Sequence, residues 1–135
     1  MIALVVAALA VGYSAGRNSI VQANSPRTFE LRAYHTAPGK YGDLVKRFQD
    51  HTMALFKKHG MQNVAYWNAT EDPQRGHVFY YMLAYPSREA REKMWKAFSE
   101  DPEWRRVKDA SEAHGKLVEK VDAIFLEPTS FSPLQ

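Results

Sequence analysis

The 135-residue sequence contains no cysteine. That absence excludes disulfides, thiolate zinc sites, iron–sulfur ligation and a cysteine nucleophile together, and it identifies no compartment. Also missing are a glycine-rich phosphate loop, a Ser/His/Asp signature, an HExxH pair and any other metal-ligand spacing. Charge of one sign is scarce as well. Lys and Arg number 18 against 15 Asp and Glu, and the basic residues are scattered among acids. No basic stripe is interleaved with stacking aromatics, so no nucleic-acid partner is expected despite a pI near 9.2.

What is present is enough apolar material for a core, at 45% hydrophobic and 13% aromatic residues. The only long apolar run, Ile2–Val11, is too short for a membrane span, which needs about 20 residues, but suits a signal-peptide core. Val21-Gln22-Ala23 offers a cleavage site. No Lys or Arg precedes the run and Arg17 follows it, so an uncleaved anchor is the alternative for residues 1–23. Either way the remaining domain, residues 24–135, is expected to be exported or membrane-tethered.

That domain alternates two kinds of period. Residues 28–36 alternate as a strand, and 40–59 place Leu44, Phe48, His51 and Leu55 on one helical face, closed by Gly60. Strands are expected at 61–69 and 77–85 around a polar turn at 71–76. Ser87 caps a helix that must stop before Pro102, and Asp101-Pro102 restarts one. A last strand covers 118–126. The order βαββαβ is the split arrangement of the ferredoxin-like fold, a four-stranded antiparallel sheet with helices on one face. The third strand is apolar on both sides, with Val78, Tyr80, Met82 and Ala84 on one and Phe79, Tyr81, Leu83 and Tyr85 on the other. A second copy is the expected cover for the face without helices; a monomer with a wide ligand groove is the alternative.

Several stretches resemble the NIPSNAP family when taken together over about residues 28–133. They are Phe29-Glu30-Leu31-Arg32-Ala33-Tyr34, Arg47-Phe48-Gln49-Asp50-His51-Thr52, Lys58-His59-Gly60-Met61, Tyr66-Trp67 and the run from Leu83 to Arg91. Trp95-Lys96-Ala97-Phe98, Asp101-Pro102-Glu103-Trp104 and Phe125 to Pro133 complete the set. The resemblance implies a dimeric α+β barrel, two ferredoxin-like sheets packed face to face. That wider superfamily includes small monooxygenases, haem-degrading enzymes and lactone isomerases, so the resemblance permits an enzyme without specifying a reaction. The apolar N-terminus fits a bacterial member better than the mitochondrial animal ones, which are linked to vesicle traffic and mitophagy signalling.

The candidate ligand-binding residues are Glu30, Arg32, Tyr34, His51, Tyr66, Trp67, Tyr81 and Trp95. His51 is placed on the buried face of the first helix, as a general base, a ligand or a structural histidine. Glu30, Arg32 and Tyr34 share one strand face. If Phe29, Leu31 and Ala33 meet the helices, that trio faces the space between sheets, as an interface ion pair or as an anion-binding arginine. The aromatics either line a pocket for a flat ligand or fill the core. His51 and His59 lie about 80° apart on a helix and make a poor metal pair. No cofactor is identified. Two functions compete: a binder or monooxygenase-like enzyme for a small hydrophobic molecule, and a non-catalytic dimeric scaffold near a membrane. The scaffold would dock partners on the charged helix faces 88–93 and 103–109. Any site should lie at the margin of sheet and helix, near Arg32 and His51.

Overall fold

The computed structural model describes residues 27–135. The expectation of a signal peptide or anchor at 1–23 lies outside the described residues. Strand β1 (Thr28–Thr36) leads into helix α1 (Tyr41–Arg47), one π-helical turn (Phe48–Thr52) and helix α2 (Met53–Lys58). Strands β2 (Gln62–Asn68) and β3 (Val78–Tyr85) follow, then helices α3 (Arg88–Glu100) and α4 (Pro102–Ser111), and strand β4 (Val118–Leu126). The sheet order is β2-β3-β1-β4 with every neighbouring pair antiparallel. This is the expected ferredoxin-like α+β fold.

The local signals act as their chemistry requires. The Ser87 hydroxyl accepts from the Ala90 N–H at 3.0 Å, and the Asp101 carboxylate accepts from the Glu103 N–H at 2.8 Å ahead of Pro102. Gly60 ends α2 at φ +81°, and a Cβ there would stand 3.2 Å from the Met94 methyl, so both backbone and packing call for glycine. Leu44, Phe48, Leu55, Phe56 and Phe98 pack from the helices onto Phe79, Tyr81, Leu83 and Tyr85 of β3. Full burial of each such side chain stabilises the fold by about 1.5–3 kcal/mol.

Two features depart from expectation. The first helical stretch is not regular. The Met53 N–H bonds the Phe48 carbonyl five residues back, and this π turn inserts one residue into the helical phase. Thr52 therefore occupies the buried slot predicted for His51, and its hydroxyl donates to the Arg47 carbonyl at 3.2 Å. His51 is turned out to solvent.

The second departure concerns β1. Glu30, Arg32 and Tyr34 point toward the helices, and Phe29, Leu31 and Ala33 point away from them, the reverse of the sequence-based assignment. The cross-strand pairs carry this through the sheet. Arg32 sits opposite Tyr81 and Ala123 on the helix-covered face, and Leu31 opposite Met82 and Ile124 on the open one.

Candidate functional site

The Glu30 side chain is wholly buried beneath α3. Its carboxylate accepts from Arg32 Nη1, from Arg91 Nη2 at 2.8 Å and Nε at 3.1 Å, and from the Tyr85 hydroxyl at 2.7 Å. The Trp95 indole N–H in turn donates to the Tyr85 oxygen at 2.8 Å. Burial pushes the Glu30 carboxyl up, but hydrogen bonds from Arg91 and Tyr85 and the charges of Arg32 and Arg91 outweigh it, so the group is held below its ordinary value. Charged groups leave water only when paired and hydrogen-bonded in this way. Arg91, assigned from sequence to a charged docking face, instead turns inward to complete this network.

Arg32 is the less fully satisfied partner. Its guanidinium lies 4.4 Å from the Trp95 ring centroid and reaches the Tyr34 hydroxyl at 3.5 Å, while its buried Nε has no hydrogen-bond partner. The Tyr81 hydroxyl is also buried and makes no well-aligned hydrogen bond, although Tyr34 and Arg32 stand beside it. Burial pushes the Tyr81 phenol well above its ordinary value, so it stays protonated and can only donate or accept a hydrogen bond at neutral pH. Tyr66 is likewise raised, first by burial and then by Tyr34, and it donates to Asn63. Tyr66 stacks on Tyr81 at 5.8 Å, and Tyr34 meets Tyr81 edge-on at 5.1 Å.

Beside this layer a cavity of about 450 Å³ opens between the π turn, α2, α3 and α4. Phe48, Phe56, Trp95, Phe98 and Trp104 form its aromatic walls and Tyr34 reaches it from β1. Arg47, Thr52 and Ser99 supply polar groups, and Arg105, Lys108 and Asp109 stand at its exposed side. Its volume falls within the range of small-molecule sites. Arg47 is buried, lies 5.1 Å from the Trp104 ring centroid, and donates to Ser111 at 3.2 Å and Glu112 at 3.3 Å. Its Nε has no partner.

Of the eight residues expected at a site, Glu30, Arg32, Tyr34, Tyr66, Tyr81 and Trp95 share the helix-covered side of the sheet. Tyr34 and Trp95 reach the cavity itself. Trp67 does not join them: it lies opposite Tyr80 on the other face and is 45% exposed. His51 lines a separate, more polar groove of about 540 Å³ between α1 and α4, beside Lys46, Asp50 and Arg106. Its expected placement fails because the π turn shifts the phase. Arg47, Thr52 and Trp104 were not among the expected site residues. Arg47 could have been found, since it stands three residues after Leu44 on the same apolar stripe, where a charged residue needs a reason.

Comparison with known proteins places these features in a family. The NIPSNAP family model matches residues 29–133. An uncharacterised NIPSNAP domain protein from Burkholderia xenovorans superposes with a TM-score of 0.66 at 20% identity, covering 78% of this chain and 98% of its own. A NIPSNAP family protein of unknown function from Agrobacterium tumefaciens gives 0.69 at 22% identity, over 82% and 95%. SnoaB, a cofactor-independent oxygenase from Streptomyces nogalater, gives 0.55 at 12% identity, over 81% and 99%. At these identities the structural likeness is one of fold. No curated protein matches the chain.

Proposed function

We propose, for a chain that belongs to the NIPSNAP family, that the aromatic cavity beside Arg32 and Tyr34 binds a small, flat, hydrophobic or aromatic molecule. The observation that carries this is the pairing of aromatic walls with buried donors that lack partners. Phe48, Phe56, Trp95, Phe98 and Trp104 form the walls, and Arg47, whose Nε is buried without a hydrogen bond, lines the cavity itself. Arg32 Nε and the Tyr81 hydroxyl, also without well-aligned hydrogen bonds, lie outside that lining, against Tyr34. Buried polar groups are nearly always satisfied, and an orphan group needs an explanation. A ligand oxygen is one such partner.

The site is built to donate. Both guanidiniums remain cationic and the Tyr81 phenol remains protonated, so none of the three can act as a general base near neutral pH. Arg47, the one of the three that lines the cavity, suits an acceptor atom such as a phenolic or carbonyl oxygen. If the bound molecule is a phenol with an activated methylene, a cofactor-free oxygenation is balanced. The phenol gives its proton to water and binds as the phenolate; its methylene and O2 then give a carbonyl and water, with the substrate itself supplying the electrons. The fold shared with an oxygenase, SnoaB, makes this reaction worth measuring and does not carry it.

The test is a thermal-shift panel of quinols, polyketide-like phenols and haem on the full chain, followed by oxygen uptake with any binder. The expected outcome is a rise in Tm with at least one flat phenol, lost in Trp104→Leu. A panel that leaves Tm unchanged defeats the ligand reading. Binding without oxygen uptake removes only the oxygenase reading.

A second copy on the open sheet face is also part of the proposal. Leu31, Ala65, Trp67, Tyr80, Met82, Ile124 and Leu126 give that face an apolar area, with Ile124 57% exposed, bordered beyond Ala33 by the charged group His35, Asp122 and Lys120. Patches of this kind mark interfaces, and an isologous sheet-on-sheet contact covers the same residues on both partners. Sedimentation velocity on the full chain is expected to give a dimer, and a concentration-independent monomer overturns this assignment.

A further inference from the structure

We infer that the ligand of the aromatic cavity is a monoanionic aromatic acid, with its carboxylate held by Arg47 at the α1–α4 end. This rests on the cavity's being a ligand site, and it adds charge and orientation to that proposal.

Arg47 is the unusual element. It comes from the last turn of α1, immediately before the π turn, and its side chain is 5% exposed. It lies against Trp104, a cavity wall, and it lines the cavity directly. Nη1 is engaged by Ser111 and by Glu112 at 3.3 Å, a loose ion pair, while Nε is buried with no acceptor. A guanidinium in a dry setting attracts a carboxylate strongly, because charge-assisted hydrogen bonds exceed neutral ones and Arg presents its donors as a planar fork.

The surrounding charge has the same sign. Around the cavity Arg47, Arg105 and Lys108 stand against Asp109 and the Arg47 partner Glu112, an excess of one positive charge. On the sheet side, one buried carboxylate, Glu30, faces two guanidiniums, Arg32 and Arg91. A negative ligand would therefore enter a field it is attracted by, and an aromatic cation would be repelled. The contact of the Arg47 guanidinium with the Trp104 ring, 5.1 Å from its centroid, also restrains the side chain, so less freedom is lost on binding.

The experiment is isothermal titration calorimetry on the full chain with three isosteric probes: 2-naphthoate, 2-naphthamide and 2-naphthylmethylammonium. The carboxylate is expected to bind roughly 10-fold to 100-fold more tightly than the amide, with the ammonium weakest. Arg47→Gln should erase the carboxylate's advantage and leave amide binding within a few-fold. Glu112→Gln, which keeps the guanidinium but releases its loose partner, should preserve or increase it. If carboxylate and amide bind alike, or if Arg47→Gln leaves the preference intact in a folded protein, the anion assignment falls while the aromatic site stands. If none of the three probes binds, the ligand site itself falls and the anion with it.

Discussion

On the face that the helices cover, β1 presents Glu30, Arg32 and Tyr34, whereas on the face without helices it presents Leu31 and Ala33, along with Phe29, which is buried near the C-terminal segment. An antiparallel sheet covered on one side ordinarily does the opposite, with apolar residues under the helices and polar ones in water. The difference supports the proposal that neither face is finished by the single chain. The covered face carries paired charges and unpartnered donors beside a cavity, which suits a ligand. The open face carries aliphatic and aromatic side chains and no buried charge, which suits another apolar surface. β3 joins the two, since Tyr81, Leu83 and Tyr85 serve the first while Tyr80 and Met82 serve the second.

The largest effect should come from breaking the covered face. Glu30→Gln leaves the Arg32 and Arg91 guanidiniums without a carboxylate, and loss of one member of a buried ionic network costs about 3–5 kcal/mol. Thermal unfolding should show this as a large fall in Tm, and a change below about 1 kcal/mol would mean that the network is solvated. The same carboxyl predicts an acid limb. Its folded-state pKa is below the ordinary 4.5, so its contribution is fully present above that value and fades as pH falls through the folded one. Stability measured from pH 6 to pH 3 should drop more steeply in the native chain than in Glu30→Gln.

The open face should respond to charge in a different observable. Leu31→Glu places a carboxylate at the centre of that face, where water reaches it in a lone chain but not between two sheets. The folded monomer should survive, and the proposed dimer should weaken by at least about 100-fold, because each copy would bury an unpaired charge. Sedimentation velocity reads the shift, and far-ultraviolet circular dichroism checks the fold. Unfolding without dissociation would show that the face is part of the monomer's own core.

A smaller effect, with the sign reversed, tests whether the covered face is designed for something absent. The Tyr81 hydroxyl is buried without a well-aligned hydrogen bond, so Tyr81→Phe removes a polar group that folding leaves unsatisfied. Stability should rise by about 1–2 kcal/mol. A fall of similar size would mean that the hydroxyl is already satisfied, and it would weaken the case for a missing acceptor.

Much of this was legible in the sequence, and the limits have specific causes. Strands 28–36 and 118–126, the caps at Ser87 and Asp101, and the βαββαβ order follow from periodicity and cap chemistry, which act locally. The choice of face was not legible from β1, because a period of two separates residues into two sets without saying which set meets the helices. The usual rule chose wrongly: Glu30, Arg32 and Arg91 come from distant parts of the chain, and only together do they make burial tolerable. Arg91 held the clue, since it lies on the α3 face with Trp95 and Phe98.

The finest comparison is between two adjacent residues, His51 and Thr52, which a regular helix and a π turn treat in opposite ways. With 3.6 residues per turn, Phe48 is followed on the buried face by His51 and then Leu55. With the π turn the sequence inward becomes Phe48, Thr52, Leu55 and Phe56, and the Thr52 hydroxyl bonds the Arg47 carbonyl. Thr52→Val keeps the shape and removes that hydrogen bond, so it should cost about 1 kcal/mol. His51→Ala removes an exposed side chain and should stay within about 0.5 kcal/mol. Urea unfolding of the two variants decides the phase. The opposite ranking would restore a regular helix, return His51 to the interior, and displace Arg47 from the wall of the cavity.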